Sequence, residues 1–375
     1  MYSTDALDKV IAVAAENAER VDADGAFPSA AVDTLRGSGL LGLVLPAEVG
    51  GLGAGPVEFT EVVAGLAGAC GSTAMVYLMH AAAAVTVAAA PPSAMPELLS
   101  AMASGESLGT LAFSEKGSRS HFWAPVSTAV ISDSGSAVKL RADKSWVTSA
   151  GYADVYVVSA GSTSGVAGEV DMFAVPSLAV GLSVVAPFVG LGLRGNASSP
   201  MTVDVTVPVT SRLGDRAAGF GLMMQTVLPW FNLGNAAVSL GLAGSAYAAT
   251  IAHVGRARLE HLGETLSALP TIRAQIARMG TALAAQRAYL THAAASVSAP
   301  DDHTLTHVLG VKASANDAAL TITESAMRIC GGAAFSKHLP IERAFRDARA
   351  GAVMAPTADA LYDFYGKAVT GLPLF

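Results

Sequence analysis

Apolar positions in the first part of the chain fall near helical spacing over Ala6–Ala14, Ala30–Gly37, Val57–Ala69 and Thr73–Ala90, which predicts four helices. Phe27-Pro28, the turn Gly50-Gly51-Leu52-Gly53 and Pro91-Pro92 separate them. Alanine dominates these segments; it favours helix and lets helices pack closely. The pattern changes near Gly109. From there the apolar runs are short, β-branched and set off by turns: Leu111–Phe113, Val126–Ile131, Ala137–Leu140, Val155–Ser159, Val170–Val175, Leu182–Val185 and Met201–Val207. Asp133-Ser134-Gly135-Ser136 reads as a hairpin turn between two of them. Strands at this spacing predict a small sandwich or barrel. After Ala217 long Ala-rich helices return, over Leu222–Val254, Pro270–Ala299, Thr304–Cys330 and Ala355–Val369.

The order α, then β, then α, without βα alternation, excludes a doubly wound sheet. The expected class is α+β: an N-terminal α-helical domain over 1–108, a central small β-sandwich or barrel domain over 109–215, and a C-terminal four-helix-bundle domain over 216–375. Gly190-Leu191-Gly192-Leu193-Arg194-Gly195 satisfies the dinucleotide fingerprint G-x-G-x-x-G. That fingerprint works only when a helix follows, so that its N-terminus faces the pyrophosphate. Here Asn196–Pro200 and the alternating Met201–Val207 follow, so the glycines are expected to shape a loop between strands.

Composition narrows the class further. Of 375 residues 52% are hydrophobic and 14% charged, enough for a large interior and far from a disordered chain. The low charge leaves weakly polar surface of the kind that oligomer interfaces hide. A net charge of −7 argues against nucleic acid or anionic membrane as main partners. The longest apolar stretch, Met75 to Ala90, spans 16 residues and contains His80. A bilayer span needs about 20, so a buried helix is the expectation. The N-terminus lacks a basic leader pattern. Cys70 and Cys330 are too few for a disulfide framework or a metal site. A cytoplasmic protein is expected.

Five local motifs, in order along the chain, resemble the acyl-CoA dehydrogenase superfamily. Gly39–Gly53, GLLGLVLPAEVGGLG, looks like that family's N-terminal helices and Gly-Gly turn. LAFSEKGSRS (Leu111–Ser120) is similar to its L-x-x-T/S-E-P-x-A-G-S segment, and ADKSWVTSAGYAD (Ala142–Asp154) to G-x-K-x-W-I-T-N-A-x-x-A-D. LGLRGN (Leu191–Asn196) matches the loop before a domain-closing strand. Ile329–Arg349 is similar to the C-terminal signature G-G-x-G-Y…P-x-E-R-x-x-R-D-A.

The resemblance implies an FAD-dependent oxidoreductase and assigns roles position by position. Leu111, Phe113 and Ser114 would lie along the flavin ring, with donors at its pyrimidine edge, where charge develops on reduction. Ser120 would stand near the pyrophosphate, Trp146 over the ring's far side, and Thr148 toward its N5 and O4. On residue type alone, Trp146 and Thr148 are also an ordinary strand pair. Gly331 and Gly332 would let a neighbouring subunit's backbone approach the adenosine diphosphate, or they cap a helix. In RARLEHLGETL (Arg256–Leu266), Arg258 is the nearest match to a cofactor-supporting arginine, one residue out of register. Arg328 stands at a Gln position, where a guanidinium suits phosphate and solvent equally. Thr357 matches the threonine of the family's E-G-T segment. A homodimer or homotetramer follows from the shared site.

The family's carboxylate base is missing. Counted from Arg346–Arg349, the usual slot is Ala355, and the alternative slot on the first C-terminal helix is Phe231. A positioned base contributes about 10²–10⁴ in rate. Asp359, a helical turn beyond Ala355, and His121 are the candidates for a relocated one, with Glu115 and His80 also titratable nearby. Each has a plainer reading: solvent-facing for Asp359, general family motif for Glu115, packed core for His80. His121 sits in a polar-aromatic cluster, Arg119 to Trp123, suited to a carboxylate, amine or aromatic substrate, or to packing a loop on the β domain. Three functions follow. One is α,β-dehydrogenation of an acyl thioester such as an acyl-CoA, with an electron-transfer flavoprotein as partner. Another is a monooxygenase or N-hydroxylase using oxygen and flavin from a reductase. The third is a non-catalytic flavin-binding subunit of a hetero-oligomer, or a lyase using flavin as scaffold.

Overall fold

The computed structural model describes residues 2–118 and 121–375. The helices of the N-terminal part are α1 (Thr4–Asp24), α2 (Ser29–Arg36), α3 (Pro56–Ala69), α4 (Gly71–Ala89) and α5 (Leu98–Ser104). α4 is buried on every face from Gly71 to Val87, which is why its sequence shows no polar stripe. α4 and the Gly219–Val254 run are long and apolar enough to cross a bilayer by length and composition, yet 89% of the α4 window lies inside the fold. His80 of α4 is a core histidine. Its Nε2 lies 3.0 Å from the Leu41 carbonyl, and its Nδ1 accepts from the Gly109 N–H at 3.0 Å. That pairing requires the Nε2–H tautomer, and burial pushes the ring's pKa down to about 4.

Gly109, which His80 holds, opens the β part. Its strands are β1 (Gly109–Ala112), β2 (Thr128–Ile131), β3 (Ala137–Val147), β4 (Val155–Gly161), β5 (Val170–Pro176), β6 (Leu182–Val184) and β7 (Ser199–Pro208). They form two sheets, ordered β1-β4-β5 and β2-β3-β7-β6. Between them lies a core that includes Val138, Leu140, Val158, Phe173 and Val205. The predicted Asp133–Ser136 turn is present, closed by Gly135 N–H to the Ser132 carbonyl at 2.8 Å. β3 runs well past the predicted Leu140, because Arg141 to Lys144 pair with β7.

The C-terminal part comprises α6 (Gly219–Leu222), a wider π turn (Met223–Val227), α7 (Leu228–Val254), a hairpin of β8 (Arg258–Leu259) and β9 (Glu264–Thr265), α8 (Pro270–Ser298), α9 (Thr304–Cys330), α10 (Gly332–Phe335), α11 (Ile341–Val353) and α12 (Ala358–Thr370). α9 is the axis of the bundle and packs against α7, α8, α11 and α12. The last helix starts at Ala358 rather than the expected Ala355, with Thr357 as its N-cap.

The three parts are pinned together by Arg346 and Asp347 of α11. Arg346 reaches Asp22 of α1 at 2.5 Å and Glu342 at 2.8 Å, and donates to the Leu191 carbonyl at 3.0 Å. Asp347 accepts from the Leu193 N–H at 2.6 Å. A Cβ at Gly192 would lie 2.5 Å from the Arg346 carbonyl oxygen, so only glycine permits this approach. The glycine-rich motif is therefore an interdomain clasp. No helix follows it; β7 does.

Candidate active site

The cleft is built where β1 and β3 leave their separate sheets and meet. β3 is bulged between Lys144 and Val147, and a bulge both kinks a strand and re-aims its side chains. At the bulge Ser145 donates to the Ser114 carbonyl at 2.8 Å, and Glu115 bridges to Lys144. Beneath the bridge Lys144 Nζ donates to Glu115 Oε1 at 2.5 Å and to the Ser159 carbonyl at 2.7 Å. The other oxygen, Oε2, accepts from the Val126 and Ser127 N–H groups at 2.7 and 2.9 Å. Lys144 and Glu115 are both sealed from solvent. Burial lowers the lysine toward about 8, and Glu115 opposes the shift.

Above this pair lies a cleft of about 660 Å³, within the range of small-molecule sites. Leu111, Phe113, Ser114, Trp146, Thr148 and Thr357 all line it. Trp146 sits at φ 48° and is 66% exposed, its ring presented outward rather than packed as an ordinary strand aromatic. Thr148 is buried with its hydroxyl 3.0 Å from that of Ser198, a pair in which either can donate. Four of the six described non-glycine residues with positive φ, Trp146, Ser149, Leu193 and Ala197, belong to the two segments bordering the cleft. Such backbone costs energy and collects at functional sites. Ser120 lies outside the described residues.

The opposite wall comes from α4, the π turn, α7, α11 and the segment after it, and apart from two arginines of α11 and Thr357 it is apolar. Met75, Met79, Val227, Phe231, Met354 and Ala355 face the cavity there. Ala355 and Phe231, the two base slots, thus do line the cleft, but neither carries a titratable group. Among the described residues in the lining, the charged groups are Glu115, Arg346 and Arg349. Glu115 is consumed by Lys144. Arg346 is held by Asp22 and Glu342, which raise its pKa above the ordinary arginine value. Arg349 donates to the Phe345 carbonyl, stacks over the Phe345 ring at 3.2 Å and lies 3.8 Å from Glu324.

The remaining candidates lie elsewhere. Asp359 is exposed in the first turn of α12, and His121 is exposed beside Trp123 at 5.1 Å between rings; neither is among the lining residues. Arg258 is exposed on β8, donating to the Gly263 carbonyl at 3.1 Å. Gly331 and Gly332 are exposed at the α9–α10 junction, Gly331 at φ 53°, with open space where a Cβ would stand. Arg328 is exposed on α9. Sequence reasoning missed Ser198, which has no motif signature, and Lys144, which stands inside a quoted motif without a stated role.

The donor set fits a flavin ring. One wall offers apolar side chains together with two hydroxyl-bearing residues, Ser114 and Thr148, the mixture a flat heterocycle with a polar edge requires. Comparison with known proteins gives the same direction. The family models for the acyl-CoA dehydrogenase N-terminal, middle and C-terminal domains match residues 5–106, 110–205 and 217–369. Probable acyl-CoA dehydrogenase YngJ of Bacillus subtilis is 28% identical over 347 residues, covering 89% of this chain and 88% of that protein. The structure of butyryl-CoA dehydrogenase from Megasphaera elsdenii superposes with a TM-score of 0.90 at 23% identity, covering 99% of both chains. PigA, solved with FAD and proline, superposes at 0.88 with 17% identity, covering 98% of this chain and 97% of its own. With its three domains matched in order and its cleft assembled from the motifs that suggested it, the chain belongs to the acyl-CoA dehydrogenase superfamily.

Proposed function

We propose that the chain is an FAD-dependent oxidoreductase that oxidises an acyl thioester at its α,β bond without a side-chain base of its own. The observation that carries this reading is one continuous cleft with a hydroxyl-bearing β wall and an apolar helical wall. FAD supplies the hydride-accepting ring. Ser114 and Thr148 would hold its polar edge, and Trp146 would cover one face. Met75, Met79 and Phe231 exclude water from the acyl group and favour a hydrocarbon one. Ala355 leaves open the place where a carboxylate would take the Cα proton, so that proton passes to a small exogenous base admitted beside Ala355.

A test follows from that opening. Anaerobic mixing with an acyl-CoA should bleach the flavin slowly, and added formate or acetate should accelerate bleaching by filling the space beside Ala355. Bleaching that is absent with and without carboxylate would reject the reading. The missing base also favours a second reaction, oxygenation with flavin from a reductase, because that chemistry needs no proton taken from Cα. Oxygen uptake with added flavin reductase, and none with acyl-CoA alone, would select it. In the first reading an electron-transfer flavoprotein is the electron acceptor.

The exposed Arg258, Gly331 and Gly332 support a site completed across a homo-oligomer interface. Phe335 and Val353 are 82% and 75% exposed, apolar surface suited to such an interface. Sedimentation should find a dimer or tetramer; a monomer with full flavin occupancy would end this part of the proposal.

A further inference from the structure

The segment that carries Ala355 rests on a second buried lysine. Lys312 of α9 is fully buried, and its Nζ donates to the carbonyls of Gly351 at 3.0 Å, Met354 at 3.1 Å and Pro356 at 2.9 Å. Three N–H groups meet these three carbonyls, and the Asn316 side-chain amide stands 3.3 Å from Nζ as a fourth, longer neighbour. No carboxylate pairs with it among the described residues. One of these carbonyls, on Gly351, belongs to the last turn of α11, where backbone acceptors lack helical partners and a cation is favoured. The other two flank Ala355. Asn235 of α7 reinforces the seat by donating to Met354 Sδ at 3.4 Å. The seat is tight: a Cβ on Gly351 would lie 2.6 Å from Asn316 Nδ2 and 2.8 Å from Ser239 Oγ. On its other side the same segment presents Val353, Met354, Ala355 and Thr357 to the cleft.

We infer that Lys312 is the positioning residue of this wall: by gathering the carbonyls on both sides of Ala355 inward, it aims position 355 and the Thr357 cap at the ligand. The inference takes its meaning from the proposed oxidoreductase, but its first test needs neither flavin nor substrate. Burial pushes the Lys312 pKa down to about 7, while the three carbonyls favour the protonated form. Replacement by methionine keeps the stem and removes the donors. It removes the ammonium donor from all three carbonyls, and a buried carbonyl that loses its donor is uncompensated.

Hydrogen exchange should be compared between the full-length protein and K312M. Amides across 350–358 should exchange roughly tenfold faster in the variant, while the body of α9 stays within about twofold. Unchanged exchange across 350–358 overturns the inference. If K312M does not fold, K312R takes its place; it keeps the charge but alters the reach, and the same segment should again be the one that loosens. The second test uses A355E, which places a carboxylate in the open slot. In that background flavin reduction by an acyl-CoA should rise by about 10²-fold or more. Adding K312M should remove at least about tenfold of that gain through misplacement of the base, with thioester affinity changed less than about threefold. Equal reduction rates in A355E and A355E/K312M would overturn the inference. If A355E gains nothing, the oxidoreductase reading is weakened and the exchange experiment still decides the role of Lys312.

Discussion

The two walls of the cleft are stabilised in opposite ways. The β wall is polar beneath its surface and strained along its backbone, held by a lysine whose charge is matched by a carboxylate. The helical wall is apolar at its surface and rests on a lysine that meets only neutral carbonyls. Both lysines are sealed from solvent. The difference teaches where charge is tolerated in this molecule. Behind the β wall a full ion pair is buried, and the one Glu115 oxygen that Lys144 leaves free accepts two backbone N–H groups. At the helical wall, where the family's reaction would call for a carboxylate, no anion stands among the described residues, and the wall's order depends on carbonyl dipoles converging on one ammonium.

The largest effect should come from breaking the matched pair. K144M leaves the Glu115 carboxylate buried with only its two backbone donors, and such an orphaned charge costs about 3–5 kcal/mol. Urea unfolding of the apoprotein checks it. The double variant K144M/E115Q, which removes the charge as well, should recover a large part of the loss. If the single and double variants unfold alike, charge matching does not distinguish the β wall from its opposite.

His80 gives a pH-dependent way to loosen the same wall, because it anchors the first residue of β1. Its folded pKa is depressed from the ordinary 6.5 to about 4 by burial. A depressed group contributes stability that is present above the unfolded pKa and is lost as pH falls toward the folded one. The shift of about 2.5 units corresponds to about 3 kcal/mol between pH 7 and pH 4. Asp347, pushed up to about 6 by burial, acts with the opposite sign over much of that window. Comparison with H80N, in which Asp347 is unchanged, cancels that contribution. The stability advantage of the wild type over H80N should shrink by about 3 kcal/mol on acidification. A constant difference would mean that His80 titrates normally.

At the helical wall the corresponding change is steric. G351A drives a methyl into Asn316 and Ser239 under the Lys312 seat, an overpacking worth about 1–3 kcal/mol. Its signature should be local, with faster proteolysis or exchange near 351–357. A uniform loss across the bundle would show that the seat is no more delicate than the rest of the core.

Much of this architecture was legible beforehand, for physical reasons. Helical and strand periodicities differ enough that the α, β, α order follows from the chain, and the GLGLRG segment could be set aside because a strand pattern follows it. Trp146, Thr148 and Ser114 were picked out by the resemblance of their motifs to those of the family, and they line one cleft. The seat of Lys312 was not legible. A lysine in an Ala-rich helix looks like any solvent-facing cation until tertiary packing closes over it, and its partners are carbonyls, which leave no trace in residue type. The same holds for Arg346 and Asp347: the motif was visible, but not that its two members clasp the loop before β7 and, through Arg346, the end of α1. Asp359 was chosen for standing one helical turn beyond the missing residue, and His121 for its polar-aromatic cluster near the expected flavin site; helix phase and loop direction carry both to the exposed surface.

The smallest predicted effect is the sharpest test of the β wall's role. Thr148 and Ser198 share one hydrogen bond at 3.0 Å, and the Thr148 carbonyl separately accepts from the Thr110 hydroxyl at 2.8 Å. T148V keeps the backbone contact and the approximate shape but deletes the hydroxyl, so the apoprotein should lose about 1 kcal/mol. If that hydroxyl also meets the flavin, FAD affinity measured by fluorescence titration should fall by roughly fivefold, the equivalent of one ordinary hydrogen bond. S198A separates the two contributions. It should cost the apoprotein a similar amount, yet leave the Thr148 hydroxyl free for the ring, so FAD affinity should hold or improve. Equal loss of affinity in both variants would mean that the pair only braces β3 against β7. Loss confined to T148V would make Thr148 the point at which the strained, polar wall touches its ligand.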